Sequence, residues 1–127
     1  MHTPICWFEI PVADLDRATR FYQDILATQL RPENCGGHTM AIFPHAEGQP
    51  SGALIAAPQL QPSAQGTLIY LNGGADLNSI LARIPAAGGR IDMAKTDLGQ
   101  RPDGKAIGHI ALFIDCEGNR VGLYSPN

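Results

Sequence analysis

The apolar run at residues 5–12 holds the first side chains whose chemistry could serve a function. Trp7 and Glu9 lie two residues apart in this run, and a β-strand turns alternate side chains to the same face. A carboxylate on an otherwise apolar face is costly unless it is paired. Glu9 is therefore a candidate general acid or base, or an anchor for a polar ligand group. A structural pairing of Glu9 with backbone or an arginine is the alternative that the residues leave open.

A second set of candidates lies in the later part of the chain. Tyr124 and Gly122 are two residues apart, so a strand there places them on one face and lets Tyr124 present its hydroxyl group. By the same alternation, Tyr70 faces away from Thr67. This predicts a core or interface role for Tyr70.

The histidines and cysteines do not indicate a metal or redox centre. The cysteines include no CxxC pair, and an odd number of them argues against a disulfide framework. We expect each cysteine to act as a small apolar residue and each histidine to be an ordinary surface or core residue. The residues concerned are Cys6, Cys35, Cys116, His2, His38, His45 and His109.

The first half of the chain has the pattern of one strand, one helix and three further strands. Asp14 is suited to cap a helix N-terminus, and the apolar residues that follow it recur at the spacing of one helical face. Strands are predicted in the apolar, β-branched runs between turn signals. These predicted strands cover residues 5–12 and lie near residues 28–31, 39–43 and 53–57.

The second half of the chain repeats this order. Asp76 caps a second predicted helix, which glycines 88 and 89 terminate, and Pro85 predicts that this helix ends early. The repetition predicts an α+β protein of two βαβββ modules, residues 1–60 and 64–127. A polar loop at residues 97–105 is either merely solvated or a lid. The remaining predicted strands are at residues 67–71 and near residues 90–94, 107–114 and 120–125.

Composition narrows the classes of function. A chain of 127 residues has the length of one domain, and its net charge of −3 comes without a basic patch. We therefore expect neither nucleic acid nor a membrane as a partner. The apolar runs are too short to cross a bilayer, and the N-terminus lacks the features of a signal peptide. These features predict a cytoplasmic protein.

Two motifs resemble those of a known superfamily. The opening strand and D-x-x-x-A-x-x-F-Y helix of the vicinal-oxygen-chelate superfamily, which includes glyoxalases, bleomycin-resistance proteins and dioxygenases, are similar to residues 7–22. The closing F-x-D-P-E-G-N hairpin of that superfamily is similar to residues 111–123, with Cys116 in place of proline. The resemblance implies a cupped eight-stranded mixed sheet, built from the two modules, that encloses a cavity.

The resemblance also implies four metal-ligand positions, one on each of four strands. In this chain they fall on Trp7, on a residue of the strand at 53–57, on Thr67 or Leu68, and on Gly122. None of these residues offers the imidazole or carboxylate that a divalent cation needs. We therefore expect no bound metal and no other cofactor.

The function that the resemblance then implies is that of the metal-free, bleomycin-type members of the superfamily. Such a protein binds a small, largely apolar metabolite or drug-like molecule in its cup, here with Trp7, Glu9, Thr67 and Tyr124 as candidate contacts. Trp7 either stacks on a planar ligand or fills the space of the metal. The alternatives are a metal-independent lyase or isomerase that uses Glu9 as acid or base, and a module whose cup is filled by its own side chains. We expect a homodimer, because exposed strand edges favour pairing.

Overall fold

The computed structural model describes residues 3–127, apart from the side chain of Cys35. Within this range the chain forms two compact units, residues 3–62 and 63–127, each with one helix and four strands. His2 lies outside the described residues. No helix in residues 3–127 is long and apolar enough to cross a membrane.

The first unit is a four-stranded mixed sheet with one helix. Its strand order is β1-β4-β3-β2, with β1 parallel to β4 and the other neighbours antiparallel. The elements are β1 (Trp7–Pro11), α1 (Leu15–Leu26), β2 (Arg31–Cys35), β3 (His38–Ile42) and β4 (Ser51–Ile55).

The second unit repeats this topology. Its strand order is β5-β8-β7-β6, and β5 runs parallel to β8. The elements are β5 (Tyr70–Asn72), α2 (Leu77–Ala87), β6 (Arg90–Asp97), β7 (His109–Ile114) and β8 (Arg120–Ser125). The predicted α+β class and the doubled βαβββ order are confirmed, and the eight strands form two sheets of four.

Two local predictions were wrong. A strand near residues 28–31 does not form, because Ala27 adopts a left-handed backbone (φ 51°) and the N–H group of Leu30 donates to the side chain of Gln23. Strand β2 therefore begins only at Arg31. Helix α2 continues through Pro85, since a proline in the last turn removes only one hydrogen bond and its fixed φ is helical.

Both helices begin at the predicted aspartate caps. The N–H group of Arg17 donates to Asp14, and the N–H group of Asn78 donates to Asp76. The hydroxyl group of Ser79 also donates to Asp76 at 2.7 Å and lowers the pKa of that carboxyl group below its ordinary value. Because the folded pKa is the lower one, this stabilisation is present above the unfolded pKa and is lost as pH falls through the folded one.

An aromatic core joins α1 to one face of its sheet. The ring centroids of Tyr22 and Phe8 each lie 5.6 Å from that of Phe43. The ring of Phe8 lies over the backbone of Gly52. Because side chains alternate along a strand, Trp7 and Glu9 lie on the opposite face. The sheet face turned away from the helix of its own unit is called the distal face below.

The second sheet is divided between its faces in the same way. Leu71, Ala111 and Leu123 are buried neighbours on adjacent strands and form the face covered by α2. Tyr70 and Tyr124 alternate with these residues and therefore lie on the distal face. The repeated topology thus places Trp7 and Glu9 of the first unit, and Tyr124 of the second, on the distal face of their own sheet.

Candidate functional site

The distal face of the first unit begins with two exposed side chains on β1. The indole of Trp7 is 41% exposed, and Glu9, two residues along the strand, is also exposed. Among residues 3–127, the carboxylate of Glu9 forms no hydrogen bond or ion pair, so the structural pairing considered from the sequence is not found in this range. The face therefore offers one aromatic and one acidic group at its β1 edge.

The rest of this face consists of buried apolar side chains. Ile42 and Met40 on β3 lie beside Ala53 and Ile55 on β4, and all four side chains are buried. Leu60, which follows the sheet, packs against them. Because these side chains are buried, they belong to the hydrophobic core, and the exposed groups of this face are Trp7 and Glu9 at its β1 edge.

The distal face of the second unit carries a cavity of about 650 Å³. The rings of Tyr70 and Tyr124 form its aromatic wall, and the carboxamides of Asn72 and Asn127 are among its polar groups. The hydroxyl group of Tyr124 donates to the carbonyl oxygen of Ile107, so Tyr124 contributes mainly its ring rather than a free hydroxyl. The full lining comprises Tyr70, Leu71, Asn72, Gly74, Ala75, Tyr124, Pro126 and Asn127.

The position of Tyr70 corrects a prediction from the sequence. Tyr70 is 45% exposed, so the expected core role is wrong, while the interface role stays a prediction. Its ring lies directly over Gly122 on β8, where an added Cβ would come within 2.5 Å of a ring atom. Alternation along the sequence did not identify Tyr70 as a candidate site residue. It does not reveal that Gly122 lies beside Tyr70 on the neighbouring strand.

The hydrogen bonds between parallel strands relate the two units position by position. The N–H group of Val12 donates to Ile55 in the first unit, and that of Gly73 donates to Tyr124 in the second. Counting back along each strand, Glu9 corresponds to Tyr70, and the residue paired with Glu9, Ala53, corresponds to Gly122.

By the same count, Leu68 of the second unit is the equivalent of Trp7 of the first. Thr67 is exposed and lies before β5, outside the strands. Thr67 and Tyr124 belong to the second unit, whereas Trp7 and Glu9 belong to the first. Two of the four candidate contacts therefore lie in each unit.

The residues present do not fit the divalent metal that the superfamily resemblance implies. The corresponding positions hold Trp7, Ala53, Leu68 and Gly122, which provide an indole, two alkyl groups and a hydrogen atom. The ring of Tyr70 also fills the space into which a longer side chain at position 122 would have to extend. No cluster of three or more His, Cys, Asp or Glu residues suited to a metal occurs in the part of the chain that the structure describes.

The closing hairpin motif has a structural role. The carboxylate of Asp115 accepts N–H groups from Glu117 and Asn119 at 2.8 and 2.9 Å. The side chain of Asn119 in turn accepts the N–H group of Ser63. Both polar side chains are buried, so the motif fixes the β7–β8 turn and ties the start of the second unit to it.

The polar loop at residues 97–105 is an ordered arm. Leu98 and Gly108 pair through their backbones, as do Ile107 and Gly99, which extends the β6–β7 hairpin. His109 lies at the base of this arm, with Nε2 3.9 Å from Asp97. Among the described residues its buried Nδ1 has no hydrogen-bond partner. A lid role for the arm stays a prediction.

Comparison with known proteins is consistent with this geometry. A family model described as "Bleomycin resistance protein-like N-terminal" matches residues 5–27, which include β1 and α1. No curated protein matches the sequence significantly. The sequence motif that is shared therefore belongs to the first strand and helix.

Solved structures match the chain over almost its whole length. A glyoxalase I variant from Zea mays has a TM-score of 0.66 at 22% identity, covering 97% of this chain and 46% of that one. The chain thus spans about half the length of the maize protein. A glyoxalase/bleomycin resistance protein from Albidiferax ferrireducens has a TM-score of 0.64 at 15% identity, covering 96% of this chain and 98% of that one.

A glyoxalase-related enzyme from Fulvimarina pelagi is a third such structure. Its TM-score is 0.62 at 16% identity, with 97% of this chain and 88% of that one covered. TM-scores of 0.62–0.66 over almost the whole chain, at identities of 15–22%, establish the fold alone. The chain has the glyoxalase/bleomycin-resistance fold, and its resemblance to the vicinal-oxygen-chelate superfamily is confirmed.

Proposed function

We propose that this protein binds a small, largely apolar metabolite or drug-like molecule without a divalent metal. The observation that carries the proposal is the cavity of about 650 Å³ on the distal face of the second unit. Pockets that hold small ligands have volumes of about 300–1,000 Å³, mostly apolar walls and a few polar groups. The cavity, which is open to solvent, matches this description in its volume and in its mostly apolar lining.

The lining of the cavity supports recognition of a ligand that is apolar with a polar end. The rings of Tyr70 and Tyr124 offer apolar surface. The Oδ1 atom of Asn72 accepts the N–H group of Gly74 at 2.9 Å, which orients the amide group and leaves its nitrogen as a donor for a ligand. A neutral ligand with one acceptor group suits this arrangement.

The first unit supplies the other proposed contacts. Trp7 and Glu9 present an exposed indole and an exposed carboxylate beside the buried apolar side chains of β3 and β4. We propose that they contact the same class of ligand, Trp7 through its ring and Glu9 through a hydrogen bond to a polar group. A catalytic acid or base acts in a site that excludes water, where electrostatic interactions are strong, whereas Glu9 is exposed. Binding rather than catalysis is therefore proposed for Glu9.

A thermal-shift screen of the chelator-treated full chain tests the binding proposal. Small neutral molecules with a ring and one polar group should raise the melting temperature, because a ligand of the native state stabilises it. Ala75→Trp provides the matched variant, since Ala75 lines the cavity and is exposed. The added indole should obstruct part of the cavity, so the melting temperature of the free variant should change little while the ligand-induced shift falls. An equal shift in Ala75→Trp would place binding elsewhere.

Glu9→Gln tests the proposed contact on the first unit. The substitution keeps the shape of the side chain and removes its charge, so it should weaken binding about tenfold, as expected for a charge-assisted hydrogen bond. Stability should hardly change, because the carboxylate is exposed. Glu47→Gln, at an exposed turn of the same unit, is the control and should bind normally. Unchanged affinity in Glu9→Gln would remove Glu9 from the site.

We also propose that the protein is a homodimer. Each sheet has two edge strands, and the described residues include large apolar side chains that are exposed outside the proposed ligand contacts, namely Ile5, Ile91 and Leu98. Pairing with a second copy protects such edges and surfaces. Light scattering at micromolar concentration should give twice the chain mass of 13.6 kDa, and a monomer mass would refute the proposal.

A further inference from the structure

Two aromatic rings in this protein lie directly over glycines of a parallel neighbour strand. Phe8 covers Gly52 in the first unit, and Tyr70 covers Gly122 in the second. Neither glycine has a left-handed backbone, so neither is required by its conformation. What each site requires is the close approach of the ring, which any Cβ atom would block.

The two pairs differ in the face that they occupy. Phe8 points to the helix side, where its half-buried ring contacts the buried ring of Phe43. Tyr70 stands one register position further along, at the equivalent of Glu9, and therefore lies on the distal face. One face of its ring rests on the backbone of β8, and 45% of the residue remains exposed.

We propose that Tyr70 is a preformed stacking platform that selects planar aromatic or heteroaromatic ligands; this rests on the proposed binding function. A ring already held against the backbone loses little conformational freedom when a ligand stacks on it. Offset stacking of aromatic rings adds favourable free energy beyond the burial of area. Gly122 acts as a positioning residue, because it keeps the platform in place without touching the ligand.

The polar neighbour of Tyr70 defines the rest of the ligand class. Asn72 lies two residues further along β5 and so shares the face of Tyr70 in the same cavity. Its amide nitrogen can donate to an oxygen or nitrogen acceptor on the ligand. The expected ligand is a neutral planar ring system that carries a hydrogen-bond acceptor at one edge.

Calorimetric titration of the full chain with naphthol and with decahydronaphthol tests the platform. The two alcohols share a carbon framework and a hydroxyl group, but only naphthol is planar. The wild-type protein should bind naphthol about fivefold or more tightly than its saturated counterpart, the range expected for one aromatic pair. Tyr70→Phe should keep this preference, whereas Tyr70→Leu should lose it.

Gly122→Ala is the decisive variant because it replaces none of the proposed ligand-contacting residues and acts only through the position of the Tyr70 ring. The added methyl group displaces the Tyr70 ring, so the preference for naphthol should fall to near unity while decahydronaphthol still binds. Gly52→Ala is the matched control, since it applies the same change under Phe8 in the core. That variant should lose stability, seen in chemical denaturation, and keep the ligand preference in its folded fraction.

The outcomes separate the two proposals. Equal binding of both alcohols by the wild-type protein would overturn the platform and leave the binding function standing. Binding of neither alcohol, with no stabilising ligand in the thermal-shift screen, would overturn both. Dissociation of a dimer by Tyr70→Leu, together with absence of naphthol binding, would show that a second copy of the chain covers Tyr70 and would also overturn the platform.

Discussion

The parallel pairing of β5 with β8 is the constraint on which the candidate site depends. Its register sets Tyr70 opposite Gly122, and the absence of a side chain on this glycine lets the ring lie flat on the strand. One interaction therefore has two consequences. The ring builds the wall of a cavity, and it occupies the space that a metal-binding side chain at position 122 would need.

The two units use one hydrogen-bonding scheme for different purposes. In the first unit, the position equivalent to Tyr70 is Glu9, which faces away from the helix beside Ala53. The aromatic ring over glycine occurs there one residue earlier, at Phe8, and serves the core. A shift of one residue in a strand moves a side chain to the other face. The same device therefore stabilises one unit and forms a candidate binding surface in the other.

Features fixed by neighbouring residues could be predicted from the sequence. Asp14 and Asp76 predict the starts of the two helices, since an aspartate before an apolar helical face is a local signal. The start of β2 could not be predicted, because it depends on the left-handed backbone of Ala27, which is not a glycine. The role of Tyr70 could not be predicted either. It depends on a register between strands that are far apart in the chain, and no local pattern encodes that register.

The chain has the glyoxalase/bleomycin-resistance fold, and we propose that it binds no divalent metal at the positions that the superfamily resemblance implies. This claim rests on side-chain chemistry at Trp7, Ala53, Leu68 and Gly122, none of which is a ligand for a divalent cation. Elemental analysis of protein purified without chelators tests this claim most directly. The account predicts only traces of zinc, nickel, manganese and iron, well below one atom per chain. A stoichiometric amount of any of these metals would contradict it.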